Sequence, residues 1–98
     1  MAVALDEYLL DTLMADLVGH DRQPSAFLVY LALWRSASGP GQVTIALLDL
    51  AEATGLSKRT VQSALSWLRH RRLIGVTRRS PTDVPTYRVL TPWRRGGG

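Results

Sequence analysis

One segment of twelve residues, 50–61, limits what this chain can fold into more than any other part of it. It has the sequence Leu-Ala-Glu-Ala-Thr-Gly-Leu-Ser-Lys-Arg-Thr-Val. Gly55 can take the positive φ of a tight turn, and Ser57 is a residue type that caps a new helix through its side-chain oxygen. Leu56 and Val61 are placed to fill the angle between two helices joined by such a turn. The segment therefore predicts a short helix, a tight turn and a second helix that begins after Ser57.

The second of these helices begins with two cations, Lys58 and Arg59. The macrodipole of a helix makes its N-terminus partly positive, so acidic residues there would be more stabilising, by roughly 0.3–1 kcal/mol per charge. Helix stability therefore does not explain this pair. Cations at the electropositive end of a helix indicate an anionic partner.

Charge is distributed unequally along the chain, and the net charge of +4 conceals this. Residues 1–57 carry seven acids against two arginines, which gives −5, whereas residues 58–98 carry ten bases against one acid, which gives +9. A basic half beside an acidic half is typical of a nucleic-acid-binding face on a small domain, although basic clusters also serve as solubilising surface.

Two helices are predicted before residue 50. Over residues 5–18, Leu9, Leu13 and Leu17 recur at a spacing of four residues, which predicts an amphipathic N-terminal helix that ends at Gly19. The next helix is predicted to begin at Pro24 and to stop near Ser38, before a Gly-Pro-Gly run. It is apolar on nearly every face, so we expect it to be buried at the centre of the core. The aromatic residues of this helix are interpreted as core packing rather than as a ligand pocket; they are Phe27, Tyr30 and Trp34.

The rest of the chain combines a third helix with strand-like runs. A β-branched run at residues 43–45 predicts a brief strand that leads into a helix over residues 47–54, with Ala46 as its N-cap. After the helix that follows Ser57, the hydrophobic period changes from that of a helix to that of a strand. Residues 73–79 and 84–90 form two such runs around a polar turn. The predicted fold is mainly α with a small β-hairpin.

In this order of elements, residues 43–90 resemble the winged helix-turn-helix family, as found in the DNA-binding heads of GntR-type and MarR-type bacterial regulators. The residues that carry the resemblance are Leu50, Ala51, Gly55, Leu56, Ser57, Thr60, Val61, Leu65, Leu68, Leu73 and Ile74. The resemblance implies a winged helix-turn-helix domain over residues 23–92. An N-terminal amphipathic helix and connector, residues 1–22, would precede it, and a flexible basic tail, residues 93–98, would follow it.

The chain departs from the family pattern at one position. The family commonly has glycine just before the Leu-Ile pair that opens the wing, and Arg72 stands there in this sequence. Either Arg72 takes a left-handed conformation at a cost of about 1 kcal/mol or more, or the helix ends in a different way.

The resemblance also implies a DNA-binding site on the helix over about residues 58–71 and on the wing. In the family mechanism the recognition helix enters the major groove and the wing contacts the backbone or the adjacent minor groove. The base-edge candidates are Lys58, Arg59, Gln62 and Ser63. The phosphate candidates are Ser57, Thr60 and Ser66 on the helix and Arg78 and Arg79 on the wing, with Arg88 on the same hairpin. The alternative is that this polar helix face is only solvated.

Three further residues of this helix are interpreted structurally. Arg69 and Arg71 lie towards its C-terminus, where the dipole favours cations whatever the function. Trp67 lies at the border between the buried and exposed faces, where it either packs at the edge of the core or contacts another chain.

The apolar stripe of the N-terminal helix needs a partner. It either folds back onto its own domain or pairs with a second copy of the chain through Leu9, Leu13 and Leu17. A dimer would place two recognition helices about 34 Å apart on a pseudo-palindromic DNA site.

Several classes of protein are not supported by the sequence. The chain has no cysteine, which excludes a thiolate nucleophile, a disulfide scaffold and a cysteine-based zinc site, and which favours a cytoplasmic location. His20 and His70 lie in unrelated segments without ligand spacing, so we expect no metal and no cofactor. No catalytic motif appears, and the longest apolar run, residues 26–34, is half the length of a membrane span. We therefore expect neither an enzyme nor a membrane protein.

The predicted function is sequence-specific binding of double-stranded DNA by a small transcriptional regulator without its own effector domain. One alternative is a winged-helix module for protein interaction or assembly. The other is a DNA-binding protein of plasmid or phage replication or partition.

Overall fold

The computed structural model describes residues 2–94. Its elements are two π-helical segments, Leu9–Leu13 and Ala15–His20, then α1 (Pro24–Ala37), β1 (Gly41–Thr44), α2 (Leu47–Thr54), α3 (Lys58–His70), β2 (Ile74–Thr77) and β3 (Thr86–Val89). The two π-helical segments, together with Met14 between them, form what is called here the N-terminal helix. The predicted fold class is confirmed: a winged helix preceded by an extra N-terminal helix.

The N-terminal helix differs from the prediction in its winding and in its end. It is π-helical, with the Asp21 N–H bonded to the Asp16 carbonyl at 2.8 Å, and it runs through Gly19 to His20. A π-helix closes i→i+5 hydrogen bonds, so each turn takes in more than the 3.6 residues of an α-helix, and residues four apart stay close to one line. The left-handed residue that follows this helix is Arg22, with φ 55°.

The apolar stripe of the N-terminal helix is buried inside its own chain. Leu9, Leu13 and Leu17 keep 0%, 2% and 0% of their exposure, and the helix packs against α1. Leu9, Leu13 and Leu17 therefore belong to the core of the protein and are not exposed for pairing with a second copy of the chain. The alternative, folding back onto the domain, is what the structure has.

Helix α1 lies at the centre of the core, as predicted. Phe27, Tyr30 and Trp34 are all buried, and α1 contacts the N-terminal helix, α2, α3 and the sheet. Its two polar aromatic groups bond to both ends of the chain: the Tyr30 hydroxyl donates to the Leu90 carbonyl at 2.7 Å, and Trp34 Nε1 donates to the Ala4 carbonyl at 2.8 Å. These bonds satisfy the polar atoms that such side chains would otherwise bury unpaired.

The strands form one antiparallel sheet of three, in the order β1-β3-β2. The predicted hairpin is present as β2 and β3, both shorter than the runs in the sequence, and β1 adds to the free edge of β3. Tyr87 and Val89 face the core from the central strand, whereas Thr86 and Arg88 face away from it. The sheet thus covers one side of α1 and extends the turn between β2 and β3 as a wing.

The C-terminal segment packs against the N-terminal one. The Trp93 ring stacks on Tyr8 with centroids 4.5 Å apart, and its Nε1 donates to Asp6 Oδ2 at 2.9 Å. Arg94 Nε donates to the same oxygen at 2.7 Å. Trp93 and Arg94, the first two residues of the predicted tail, thus both bond to Asp6. The rest of that predicted tail, residues 95–98, lies outside the described residues.

The conformation of Arg72 shows how α3 ends without glycine at this position. Arg72 adopts the left-handed conformation, with φ 58°. The Arg72 N–H bonds to the Arg69 carbonyl at 3.0 Å and the Leu73 N–H bonds to the Leu68 carbonyl at 2.9 Å, which is the bond pattern of a Schellman C-cap. Leu68 and Leu73 are both buried at this corner. Helix α3 therefore ends as the family pattern requires, and an arginine takes the strained position.

Replacing Arg72 with glycine is expected to raise the free energy of unfolding by about 1 kcal/mol, since glycine adopts positive φ without the Cβ clash. Urea denaturation of the full chain measures the difference. The matched control is Arg72→Ala, which removes the same side chain but keeps Cβ and should show no such gain. Equal stability of the Gly and Ala variants would contradict the strain.

Candidate nucleic-acid interface

The turn between α2 and α3 has the geometry that the sequence predicted. Gly55 is left-handed, with φ 77°, and its N–H closes α2 on the Ala51 carbonyl at 2.9 Å. Ser57 caps α3, since its Oγ accepts from the Thr60 N–H at 3.1 Å and donates to Thr60 Oγ1 at 2.9 Å. The Ser57 hydroxyl is thus already engaged, whereas the Thr60 hydroxyl keeps its own proton for another acceptor.

Helix α3 separates cleanly into a buried face and an exposed polar face. The buried residues are Val61, Ala64, Leu65 and Leu68. The exposed residues include Lys58, Arg59, Gln62, Ser63 and Ser66, all five of them candidates from the sequence. The helix contains no acid, so this exposed face carries positive charge without an internal counter-charge.

The two wing arginines are exposed and lie just after β2. Arg78 Nη1 donates to the Pro81 carbonyl at 3.2 Å. Arg79 Nε lies 3.9 Å from Asp83 Oδ2, with the Arg79 side chain 97% exposed. A solvent-exposed pair at this distance contributes little stability. Both cations therefore stay available to an anionic partner.

The structure brings some of the predicted residues together across a groove. Gln62 and Ser66 on α3 and Arg78 on the wing line the same groove, of about 440 Å³, between the helix and the sheet. Arg78 also lines a second concavity, on the wing, together with Arg79 and Thr44. Arg78 thus borders both concavities, whereas Arg79 borders the one on the wing.

A contact that sequence reasoning missed holds α3 against the N-terminal helix. Asp21 Oδ2 accepts from Trp67 Nε1 at 2.9 Å and pairs with Arg71, while Asp21 Oδ1 lies 3.0 Å from His20 Nδ1. Burial alone would raise the pKa of Asp21, but the hydrogen bonds from His20 and Trp67 and the Arg71 charge outweigh it and lower that pKa. Trp67 and Arg71 are therefore structural, as interpreted from the sequence, through a partner that no local pattern indicates.

Two further findings concern other kinds of site. Among residues 2–94, no three His, Asp or Glu side chains lie together in a way that could hold a metal ion. Within the same range, no helix has the length and apolar character needed to cross a membrane.

Comparison with known proteins identifies the family. A family model described as a helix-turn-helix domain matches residues 23–74, which is more than half of the chain. The match begins one residue before α1, includes α1, β1, α2, the turn and α3, and ends at the first residue of β2. The chain therefore belongs to this helix-turn-helix family. No curated protein and no solved structure matches it.

The Asp21 contact makes a prediction about pH. At pH 7 the Asp21→Asn variant is expected to lose about 1.5 kcal/mol of unfolding free energy, the low end for hydrogen bonds to charged groups, because the Arg71 side chain is 33% exposed. Since the pKa of Asp21 is lowered in the folded protein, its charge stabilises the fold above the unfolded pKa of about 3.9. That stabilisation is lost as pH falls through the folded pKa.

The measurement is urea denaturation of wild type and variant at pH 7 and at pH 3, where the gap between them should narrow. Asp11→Asn, at an exposed carboxylate of the N-terminal helix, is the matched control and should behave as wild type at both pH values. A gap of constant size across this range would contradict the charged contact.

Proposed function

We propose that this protein binds double-stranded DNA in a sequence-specific manner, with α3 in the major groove and the β2–β3 wing on the backbone. The observation that carries the proposal is the exposed face of α3, which holds cationic and neutral polar side chains and no acid. The family match supports the same reading. A helix of this kind, presented after a tight turn, is the element that helix-turn-helix proteins insert into DNA.

The residue types suggest a division of labour. Arg59 can bond in a bidentate way to guanine O6 and N7, and Gln62 to adenine N6 and N7, with about 1–3 kcal/mol of discrimination for each good pair. Lys58 and Ser63 lie on the same exposed face as further base-edge candidates. These four side chains would therefore set the sequence preference.

The remaining candidates suit phosphates. Ser57 and Thr60 lie at the start of α3, where N–H groups and the helix dipole favour an anion, and the free Thr60 proton adds a donor. Ser66 on α3, with Arg78 and Arg79 on the wing, would add backbone contacts. A phosphate at this end also accounts for Lys58 and Arg59, which the helix dipole alone disfavours.

The cellular role we propose is regulation of transcription by a cytoplasmic protein, in line with the resemblance to GntR-type and MarR-type DNA-binding heads. Replication or partition of a plasmid or phage would use the same interface on a different DNA site. Selection of bound duplexes from a random pool identifies the site and so separates these roles.

DNA binding is tested by fluorescence anisotropy with the selected duplex and a random-sequence duplex over a range of salt concentrations. Wild type should show a steep salt dependence, since each neutralised phosphate adds about 0.9 to the slope of log K against log salt. Arg59→Ala or Gln62→Ala should relax the preference at one base position at a cost of about 1–3 kcal/mol. Arg79→Ala should weaken both duplexes alike.

Arg35→Ala is the matched control, because Arg35 is exposed on α1, outside α3 and the wing. Its affinity for DNA should differ from that of wild type only by the effect of one lost positive charge outside the interface. Absence of binding by wild type at low salt would sink the proposal.

Protein assembly is the second candidate, and one observation favours it. The N-terminal helix leaves a second row of apolar side chains exposed, at the same spacing of four residues: Leu10, Met14 and Val18 are 50%, 40% and 40% exposed. Self-association through this row would be detected by light scattering at tens of micromolar and removed by Met14→Glu. A monomeric wild type under these conditions would rule out self-association through this row.

A further inference from the structure

Arg69 lies in the groove between α3 and the wing. It follows Ser66 by three residues and Gln62 by seven on α3, so the three share one helix face, and all three line the groove of about 440 Å³. The sequence favoured a structural role for Arg69, at the end of the helix where the dipole stabilises cations, over a functional one. The carbonyls at this helix end already accept N–H groups from Arg72 and Leu73, so the Arg69 side chain is not needed to cap them.

A second cation, Arg78, lines the same groove from the wing. The ion pairs of residues 2–94 use Arg71, Arg79, Arg94 and His20, and neither Arg69 nor Arg78 is among them. Burial raises the pKa of Tyr87, and the charges of Arg78 and Arg69 offset part of that rise. Two like charges that line one groove repel each other, and an anion between them would offset that repulsion.

The buried part of the groove is apolar and forms its floor. Leu47, Leu65, Val76, Pro85 and Tyr87 are buried or half-buried, whereas the polar residues that line the groove are exposed. Deoxyribose can pack on such a floor while its phosphate meets the guanidinium groups, whose planar forks bind phosphate oxygens in a bidentate way. An acidic peptide would satisfy the charges but has no equally regular alternation of a small apolar ring with an anion.

We propose that Arg69 and Arg78 together bind one phosphodiester of the DNA backbone in this groove. The inference rests on the proposed DNA binding and names a contact within it. Arg69 is thus a backbone-binding residue shared between helix and wing, and it contributes affinity for all sequences rather than a preference for one base pair.

The test uses Arg69→Gln, Arg78→Gln and the double variant in the full chain, with Arg35→Gln as the matched control for a lost charge. Each single variant should bind the selected and the random duplex about tenfold more weakly, as expected for loss of a charge-assisted hydrogen bond. Because both side chains hold the same phosphate, the double variant should lose less than the product of the two single losses.

A second measurement locates the phosphate. Methylphosphonate linkages, which remove one backbone charge, are placed singly along the selected duplex. At one position the neutral linkage should weaken DNA binding by wild type and leave DNA binding by Arg69→Gln unchanged. Circular dichroism confirms that each variant is folded.

The outcomes separate the two proposals. If wild type binds DNA and Arg69→Gln has the same affinity as Arg35→Gln, the groove contact is overturned and the proposed function is not. The same holds if the loss of affinity is confined to one base pair, or if the loss in the double variant equals the product of the two single losses. Wild type that binds no DNA overturns the proposed function and the groove contact with it, and binding of an acidic peptide instead would show that the groove serves a protein partner.

Discussion

Burial of α1 is the constraint on which the rest of the structure depends. Val29, Tyr30 and Leu33 each retain 0% of their exposure, and the helix has contacts with every other layer of the fold. A helix that is apolar on nearly all sides is stable in water only when other elements surround it. Helix α1 is therefore covered by the N-terminal helix, α2, α3 and the sheet, each of which packs one face against it. Each of them presents its remaining face to solvent as a result.

Because α3 packs one face against α1, its polar face points outward, and contacts along the helix hold that face in place. Ser57 caps its first turn, and Arg72 closes its last turn in a strained conformation. Asp21 bonds to the C-terminal end of the helix through Trp67 and Arg71. A binding surface gains precision when its supporting element is held on several sides. The strain at Arg72 is tolerated because the Leu68 and Leu73 contact and two backbone bonds define that corner.

Much of the fold and of the candidate site could be predicted because the signals are local. The cap at Ser57, the left-handed Gly55, the bounds of α2 and the outward face of α3 all depend on residues within a few positions of one another. The sheet was predicted only in part, since β1 pairs with β3 across more than forty residues. The Asp21 contact and the convergence of Arg69 with Arg78 were not predicted, because neither pair has a fixed sequence spacing.

The sequence by itself determined the order of the elements, the helix-turn-helix segment and the cationic, acid-free face of its second helix, since helix periodicity, capping and charge are properties of neighbouring residues. Only the tertiary structure decided what each apolar stripe covers. Leu9 and Leu17 could have served a second copy of the chain as well as their own core, because hydrophobic burial is not directional and favours whichever apolar surface is at hand. These leucines pack on their own chain because α1 has to be buried on every side. The burial of α1 also set the distance between α3 and the wing, and so the groove that neither element forms alone.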